Sequence, residues 1–378
     1  MICRATGERA SRAARYTSAD FDSGPFVVFY EVTQACDLAC RHCRACAQPS
    51  RHASELDTPT AKRLVRQLAE FPKPPLLILT GGDPLKRPDL RQLVRLATLR
   101  GLEVALTPSA TPLVTRQALN SLREAGLKRL AISLDGADAA THDALRGVDG
   151  SFDRSLDILA DARACGLPLQ INTTITPHNL DQIDHMADLA ASLHVVLWSV
   201  FFLVPVGRGA RVSRITPEQY EQVFARLWRQ AQKQPFGIKT TEAPHYRRYL
   251  AQKSQDHQSR EPRRAADAKP PRAAGTRGPL GINDGKGTLF IGHTGLIYPS
   301  GFLPLACGTF PDDSVVEVYR QAPLFRALRQ PDRLEGKCGG CSFRHICGGS
   351  RARSFALSGN PLAAEPDCAY VPPGWHDA

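Results

Sequence analysis

Residues 26–46 read FVVFYEVTQACDLACRHCRAC. Their first part is an apolar, β-branched run that predicts a buried strand over Phe26–Thr33. Cysteines follow at positions 36, 40 and 43, a Cys-x3-Cys-x2-Cys spacing, in what would be the loop after that strand. Functional residues of parallel β/α folds gather at the carboxyl ends of the strands, so this loop is predicted to carry the chemistry of the protein.

The chain continues from this strand as an alternation of short apolar runs and amphipathic segments. Strands are predicted over residues 76–80, 102–107, 129–134, 168–176 and 195–203, and helices over residues 60–70, 88–100, 115–125, 152–164, 180–193 and 217–232. The repeats are roughly 30 residues long, the length of a parallel βα unit. This pattern predicts an α/β domain over residues 26–235, as an open sheet or a barrel.

The composition is ordinary for a globular protein, with 42% hydrophobic and 22% charged residues. No apolar run is long enough for a transmembrane helix. Residues 1–25 begin with an Arg-, Ala- and Ser-rich stretch that has no apolar core of a secretory signal, so they are predicted to form a disordered leader of a cytoplasmic protein. Residues 236–287, which include a Pro- and Arg-rich stretch, are predicted to be a linker with a variable basic loop.

The net charge of +11 does not by itself indicate a nucleic-acid partner. A nucleic-acid surface would interleave basic with aromatic residues, and the basic residues here do not cluster in that way. Much of the surplus lies in residues 4–15 and 260–277, outside the predicted fold. The charge would suit an anionic small substrate or peptide, but only weakly.

Eight of the eleven cysteines fall into two tight groups, and the absence of a secretory signal favours metal ligands over disulfides. The groups are Cys36, Cys40, Cys43 and Cys46 near the N-terminus, and Cys338, Cys341, Cys347 and Cys368 near the C-terminus. A [4Fe–4S] cluster normally takes four cysteines, so a set of three leaves one iron open to a small molecule. Zinc is the alternative for the first group, with Cys46 or His42 as the fourth ligand.

The segment from Tyr30 to Cys43 resembles the opening of a radical S-adenosylmethionine (SAM) domain. The pattern of that family is Cys-x3-Cys-x-aromatic-Cys after the first strand, and His42 holds the aromatic position. The resemblance implies a partial (β/α)6 TIM-like barrel, with a [4Fe–4S] cluster held by Cys36, Cys40 and Cys43. It further implies reductive cleavage of SAM to a 5′-deoxyadenosyl radical, with electrons from a donor such as flavodoxin or ferredoxin. Cys46 would then be a thiol outside the site.

Further segments in chain order resemble SAM-binding parts of the same family. The Gly-Gly-Asp-Pro stretch after the second strand resembles its GGEP motif, which holds the amino group of SAM; the segment after the fourth strand resembles its ribose contact. The resemblance implies SAM-binding roles for Gly81, Gly82, Asp83, Pro84, Thr107, Ser109, Ser133, Asp135, Arg146 and Asn172. A plain Asp-Gly turn remains an alternative at Asp135, as do capping and solvation at Thr107, Ser109, Arg146 and Asn172.

The region from residue 288 to 378 carries the second cysteine group, a complete set of four thiolates. Taken alone, it would suit a zinc ribbon or disulfides. After a radical SAM domain it resembles a SPASM or twitch domain, which carries auxiliary [4Fe–4S] clusters. Ser300 and Arg351 stand where that pattern has cysteines, so one auxiliary cluster is predicted, not two. Cys307 is predicted to be a buried free thiol.

Residues 299–304 and 348–353 resemble the group of these enzymes related to haem biosynthesis, which removes or oxidises propionate or acetate side chains of tetrapyrroles. A radical SAM oxidoreductase acting on a tetrapyrrole is therefore the first functional hypothesis. A peptide-modifying maturase is the second, disfavoured because 25 residues before the first strand are few for a leader-binding module. A non-catalytic zinc or iron–sulfur protein is the third. Substrate contacts are predicted at Arg208, His245, Tyr246 and residues 283–287; no catalytic residue is assigned.

Overall fold

A computed structural model describes residues 16–17, 19–260 and 281–376 of the chain. Most of the predicted leader and most of the basic stretch of the predicted linker lie outside these residues. Within the described part, no helix is long and apolar enough to cross a membrane.

Ten strands of the described residues form one sheet. They are β1 (Val27–Glu31), β2 (Leu76–Thr80), β3 (Glu103–Leu106), β4 (Leu127–Ser133), β5 (Leu169–Ile175), β6 (Leu197–Phe202), β7 (Gly237–Thr241), β8 (Thr288–Ile291), β9 (Leu296–Tyr298) and β10 (Gly308–Thr309).

The helices connect these strands and follow them. They are α1 (Asp20–Ser23), α2 (Thr58–Leu68), α3 (Leu90–Leu99), α4 (Arg116–Glu124), α5 (Ala139–Arg146), α6 (Ser151–Ala164), α7 (Ile183–Ser192), α8 (Pro217–Lys233), α9 (His245–Arg260), α10 (Val315–Gln321), α11 (Pro323–Leu328), α12 (Gly336–Gly339) and α13 (Arg351–Ser358).

The strand order is β10-β9-β8-β1-β2-β3-β4-β5-β6-β7. Strands β1 to β7 lie in chain order and pair in parallel, and β8 joins the free side of β1, also in parallel. Strands β9 and β10 add antiparallel. Because β7 does not pair with β10, the described sheet does not close on itself. The prediction of a partial TIM-like barrel with a C-terminal cysteine-rich region is confirmed. The described parallel strands, β1 to β8, are two more than the six predicted.

The two faces of the parallel strands differ in polarity. In β5, Ile171 and Ile175 are buried in the main hydrophobic core, whereas the alternate residues Gln170, Asn172 and Thr174 are only half-buried. The apolar positions face the helices, and the polar ones line the inner face of the sheet. The inner face of β5 is therefore more polar than the face that packs against the helices.

The structure differs from the sequence-based expectation within the predicted linker, residues 236–287. Residues 237–241 form β7, which pairs with β6, and α9 follows and packs beside α8. The segment has no apolar run because Lys239 and Thr241 lie on the inner face, opposite the buried Ile238. Short polar strands of this kind escape a search for apolar periodicity.

The predicted disordered leader, residues 1–25, includes a helical segment near its end. Residues 20–23 form α1, and Phe21 is fully buried. Its carbonyl oxygen accepts a hydrogen bond of 2.7 Å from the hydroxyl of Tyr319 on α10. The buried ring of Phe21 and this hydrogen bond anchor the segment, which the polar composition around Phe21 concealed.

Candidate active site

The cysteine loop, residues 32–48, follows β1 and closes on itself. Ala35 and Gln48 form a parallel bridge, and the amide of Cys36 donates to the carbonyl oxygen of Gln48 at 2.7 Å. Cys36 and Cys40 are buried in one small apolar cluster, and the half-buried Cys43 packs against it. The three cysteines are thus brought together at the carboxyl end of β1. Cys46 is exposed and is not part of this cluster.

Arg208, predicted as a substrate contact, instead fastens this loop. Its Nε donates to the carbonyl oxygen of Cys40 at 2.9 Å and its Nη1 to that of Ala47 at 3.1 Å. Its backbone amide donates to the carbonyl oxygen of Cys43 at 3.0 Å. A residue after β6 therefore fixes the backbone beside two of the three cysteines. Its position in the sequence, about 160 residues away, gave no signal of this contact.

The Gly-Gly-Asp-Pro motif lies against the same loop, backbone to backbone. The amide of Gly82 donates to Thr33 at 2.9 Å and that of Asp83 to Ala35 at 2.6 Å. A Cβ atom on Gly82 would lie 2.3 Å from the carbonyl oxygen of Ala35, and one on Gly81 would lie 2.2 Å from that of Thr33. Glycine is required here because any side chain would separate the motif from the cysteine loop.

Asp83 is fully buried, and hydrogen bonds within the protein already hold its carboxylate. Its Oδ1 accepts from the amide of Leu85 at 3.2 Å and its Oδ2 from the hydroxyl of Thr111 at 2.5 Å. Burial raises the pKa of this carboxyl above its usual value, and the two hydrogen bonds oppose the shift. Pro84 follows and begins a 3-10 turn over residues 84–86.

Ser109 joins two of the predicted motifs. Its hydroxyl donates to the carbonyl oxygen of Gly82 at 2.8 Å and lies 3.2 Å from the sulfur of Cys36. Thr107, two residues earlier at the end of β3, is half-buried. Ser133 and Asn172 are neighbours in register on β4 and β5, and both are half-buried on the inner face. These predicted residues therefore surround the mouth of the barrel.

Asp135, after β4, is completely buried and lies between two basic side chains. Arg146 Nη2 is 2.5 Å from its Oδ2, and His42 Nε2 is 3.6 Å from the same oxygen. Its Oδ1 accepts from the amide of Thr174 at 2.7 Å. Burial alone would raise the pKa of Asp135, but the opposing contributions, of which the positive charge of Arg146 is the largest, hold the pKa below its usual value. The carboxylate is therefore ionised.

Arg146, at the end of α5, also approaches the cysteine loop. Its Nη1 lies 3.7 Å from the sulfur of Cys40, within reach of a weak hydrogen bond to a thiolate. Burial lowers the pKa of His42 to about 4, so at neutral pH the arginine is the cation of this group. The family resemblance implied a SAM-binding role for Arg146; in the structure its guanidinium pairs with Asp135.

The C-terminal cysteines surround a second cavity. The thiols that line it are Cys338, Cys341, Cys347 and Cys368. Two sulfurs already accept backbone hydrogen bonds, Cys338 from the amide of Glu365 at 3.2 Å and Cys347 from that of Gly349 at 3.4 Å. Burial raises the pKa of Cys347 to about 12 and that of Cys368 to about 11, so both would remain protonated thiols without a metal.

The side chains that line the second cavity are suitable ligands for an iron–sulfur cluster. Four thiols in one cavity are the usual ligands of a [4Fe–4S] cluster. Within the described residues, no three Cys, His, Asp or Glu side chains are arranged to hold a single metal ion. Each thiolate of a four-iron cluster binds its own iron, so a cluster does not require that arrangement. Cys307 lies outside the cavity, with its sulfur 3.6 Å from the carbonyl oxygen of Leu305.

Two buried arginines hold the segments that carry these cysteines. Arg351 Nη1 donates to the carbonyl oxygens of Pro361 and Ala363, at 3.1 and 2.7 Å. Arg353 Nε lies 2.9 Å from Glu365 and 3.2 Å from Asp367, just before Cys368. Arg351, which stands where the SPASM pattern has a cysteine, thus has a structural role. Ser300, the other such position, is buried and accepts from the amide of Phe302 at 3.3 Å.

The other predicted substrate contacts do not lie in the barrel mouth. His245 lines the second cavity with the four thiols. Tyr246 packs against Phe224, with ring centroids 5.2 Å apart. In the segment 283–287, Asn283 Nδ2 donates to the carbonyl oxygen of Gly349 at 2.8 Å, and Asp284 accepts from the amide of Ala352 at 3.0 Å. This segment holds the C-terminal cysteine region in place.

Residues 30–190 match the sequence profile of the Radical SAM superfamily. The chain is 40% identical over 351 residues to an AdoMet-dependent heme synthase of Oleidesulfovibrio alaskensis, which covers 92% of this chain and 87% of that protein. It is 30% identical over 358 residues to a PqqA peptide cyclase of Ruegeria pomeroyi, covering 92% and 88%. Among solved structures, Streptococcus suis SuiB bound to S-adenosylmethionine has the same fold, with a TM-score of 0.69 at 16% identity over 92% of this chain and 78% of SuiB.

Proposed function

This chain belongs to the radical SAM superfamily, and from that premise we propose that it removes a hydrogen atom from a propionate or acetate side chain of a tetrapyrrole. As a member it is an iron–sulfur enzyme that binds SAM at a [4Fe–4S] cluster. The decarboxylation or oxidation of the side chain, the auxiliary cluster, and the assignment of individual residues are the proposed parts. The observation that carries the substrate class is the 40% identity to a heme synthase along 92% of the chain.

The proposed ligands of the SAM-binding cluster are Cys36, Cys40 and Cys43. Three thiols at one strand end leave an open iron for SAM, as the donor count requires. The first cluster, with SAM bound, would provide the chemistry that removes a hydrogen atom from the substrate. An auxiliary cluster would provide one-electron transfer. Cys338, Cys341, Cys347 and Cys368 are the proposed ligands of the second cluster.

The surrounding residues are proposed to position rather than to react. Arg208 holds the backbone of the cysteine loop by its contacts with Cys40, Cys43 and Ala47. The glycines and Asp83 form the wall beside Cys36, where the amino group of SAM would bind. Arg146 Nη1 lies 3.7 Å from the sulfur of Cys40, within reach of a weak hydrogen bond.

The inner face of the barrel offers a cation to an anionic substrate. Lys239 is half-buried on this face of β7, and no acidic side chain in the described residues pairs with it. Burial, together with the positive charge of Arg129, lowers its pKa to about 8. It therefore still carries a proton at neutral pH and would gain from a carboxylate partner. This observation favours a substrate with carboxylate side chains.

A peptide substrate is the second candidate, because a peptide cyclase is similar at 30% identity over nearly the same length. The two candidates differ in the chemistry that they predict. A tetrapyrrole enzyme should release carbon dioxide or oxidise a side chain in a SAM-dependent reaction, and a maturase should leave a tetrapyrrole unchanged. The higher identity to the heme synthase favours the tetrapyrrole.

The test is anaerobic reconstitution with iron and sulfide, followed by dithionite, SAM and a tetrapyrrole that carries propionate groups. We expect about eight iron atoms per chain, four for each cluster. We also expect 5′-deoxyadenosine and a tetrapyrrole product of lower mass. Cys40→Ala should abolish both products. Cys341→Ala should retain part of the SAM cleavage and lose turnover.

Each part of the proposed function can fail on its own, and the measurements distinguish these failures. About four irons in the wild-type protein would contradict the auxiliary cluster alone. Abundant 5′-deoxyadenosine with an unchanged tetrapyrrole would contradict the substrate class alone and favour the peptide. Full turnover by Cys341→Ala would contradict the role of the second cluster.

A further inference from the structure

The side chain of His245 is buried in the wall of the C-terminal cysteine cavity without a hydrogen-bond partner. His245 is the first residue of α9, is 1% exposed, and lines the cavity with the four thiols. Neither Nδ1 nor Nε2 has a partner among the described residues. A buried polar atom without a partner costs free energy, so a polar partner is expected inside the cavity.

The packing around His245 fixes where its ring points. The ring lies between Tyr220 and Phe224, with centroids 5.0 and 4.9 Å away. The connection from β7 to α9 is held to the cysteine region on both sides of His245. Glu242 hydrogen-bonds the hydroxyl of Ser350, and Arg247 Nη1 donates to the carbonyl oxygen of Ile346 at 3.2 Å. The imidazole is therefore a buried part of the cavity wall.

The number of thiols decides what the imidazole can do there. Four cysteines supply one ligand to each of four irons, which leaves no iron for a histidine nitrogen. An imidazole carries at least one N–H in either protonation state. A ring that lines the same cavity as the four thiols can therefore act as a hydrogen-bond donor to sulfur.

We infer that His245 donates a hydrogen bond to a sulfur of the auxiliary cluster and thereby raises its reduction potential. The inference rests on the proposed auxiliary cluster, since without it the cavity holds no acceptor of this kind. A donor stabilises the more negative, reduced cluster more than the oxidised one. His245 is thus a positioning and tuning residue of the second cluster, not a ligand and not a substrate contact.

The charges around the cavity act in the same direction. Lys337 Nζ lies 2.5 Å from the carbonyl oxygen of Cys368, and Arg248 also lines the cavity. The acidic residue in the wall, Glu365, is already paired with Arg353 at 2.9 Å. Arg248 is likewise paired, with Glu221, so Lys337 is the wall cation that has no ion pair among the described residues. Its positive charge favours a cluster whose charge becomes more negative on reduction.

The test isolates the second cluster in the full-length chain by changing Cys36, Cys40 and Cys43 to Ala. In this background His245→Phe keeps the aromatic packing and removes the N–H, whereas His245→Gln keeps a donor. The readout is the midpoint potential by redox titration, with the EPR spectrum of the reduced cluster. We expect a lower potential in His245→Phe, by at least a tenfold change in the reduction equilibrium, about 59 mV for one electron. His245→Gln should recover part of the shift.

Tyr246→Phe is the matched control, because it removes a buried hydroxyl from the same helix but not from the cavity wall. It should leave the potential unchanged. An unchanged potential and spectrum in His245→Phe, or equal shifts in the Phe and Gln variants, would overturn the inference. Loss of the cluster in the Phe variant but not in the Gln variant would support it, and loss in both would overturn it. If the parent chain binds no cluster in this cavity, the proposed auxiliary cluster fails and the inference fails with it.

Discussion

Arg146 and Asp135 form a buried ion pair at the edge of the cysteine loop, with Nη2 2.5 Å from Oδ2. The carboxylate is wholly buried, and the side chain of the arginine is 13% exposed. The second basic neighbour of Asp135, His42, is neutral at pH 7 because burial lowers its pKa to about 4. The charge of Asp135 is therefore balanced by a single cation.

Arg146→Met should destabilise the protein because it leaves a buried carboxylate without a cation. Loss of one partner from a buried pair typically costs about 3–5 kcal/mol. The free energy of unfolding of the metal-free protein, from urea titration at pH 7, measures the effect. Arg116→Met is the control, since Arg116 forms an exposed pair with Asp161, where less than about 1 kcal/mol is expected. Equal stability of the two variants would contradict the assignment.

Protonation of His142 should weaken the fold in mild acid. Burial lowers the pKa of this histidine to about 4, and its Nδ1 accepts from the amide of Asp135 at 3.0 Å. Between pH 6.5 and 4 the unfolded chain takes up a proton that the folded chain refuses, so stability falls as the pH falls. From pH 6.5 to 5 this residue alone should account for about 2 kcal/mol.

His142→Phe tests that pH dependence. Phe152 already packs against the ring of His142 at 5.8 Å, so an aromatic replacement keeps this contact. The variant should be less stable at pH 7, because the amide of Asp135 loses its acceptor. Its stability should nevertheless decline less steeply between pH 6.5 and 5 than that of the wild type. Parallel curves of unfolding free energy against pH would exclude His142 as the titrating group.

Arg208→Met should loosen the SAM-binding cluster, because the cysteine loop loses two hydrogen bonds from one guanidinium. Changes in residues that orient ligands typically cost about 10- to 100-fold in metal affinity. In a chain with the four C-terminal cysteines replaced, iron loss to a chelator should be at least about tenfold faster. Arg208→Lys should be intermediate, since it keeps the charge but not the two-pronged geometry.

Arg211→Met provides the matched comparison for Arg208. Arg211 belongs to the same 3-10 turn, residues 207–211, but its side chain is exposed. Its replacement should leave iron retention at the wild-type rate. If both variants lost iron equally fast, the turn as a whole, and not the contacts of Arg208, would be responsible.

Lys239→Met should weaken the binding of a carboxylate-bearing tetrapyrrole. A hydrogen bond to a charged group is worth about 1.5–3 kcal/mol, which corresponds to a roughly 10- to 150-fold rise in Kd. Absorbance titration of the porphyrin band measures the affinity, and SAM cleavage without substrate should persist. Lys233→Met, which removes an exposed lysine from α8, should leave the affinity unchanged. No difference between the two variants would place the carboxylates elsewhere.

The sequence by itself determined the features that depend on short spacing. The three cysteines and the Gly-Gly-Asp-Pro motif each lie within a few residues, so local order alone identified them. The six predicted strands and the six predicted helices were found because their apolar residues repeat with the period of the element. The predicted barrel was confirmed for the same reason: parallel βα repeats permit few arrangements.

Only the tertiary structure decided which polar residues meet. Arg208 bonds the loop of Cys40 across 168 positions, and Arg146 reaches Asp135 and Cys40 together. Lys239 lies on a strand with no apolar run, so periodicity missed it, and His245 was expected near a substrate rather than beside the second cysteine group. The physical reason is that the buried positions within one helix or strand recur at a fixed spacing in the sequence. The partner of a buried charge depends instead on how the whole chain folds.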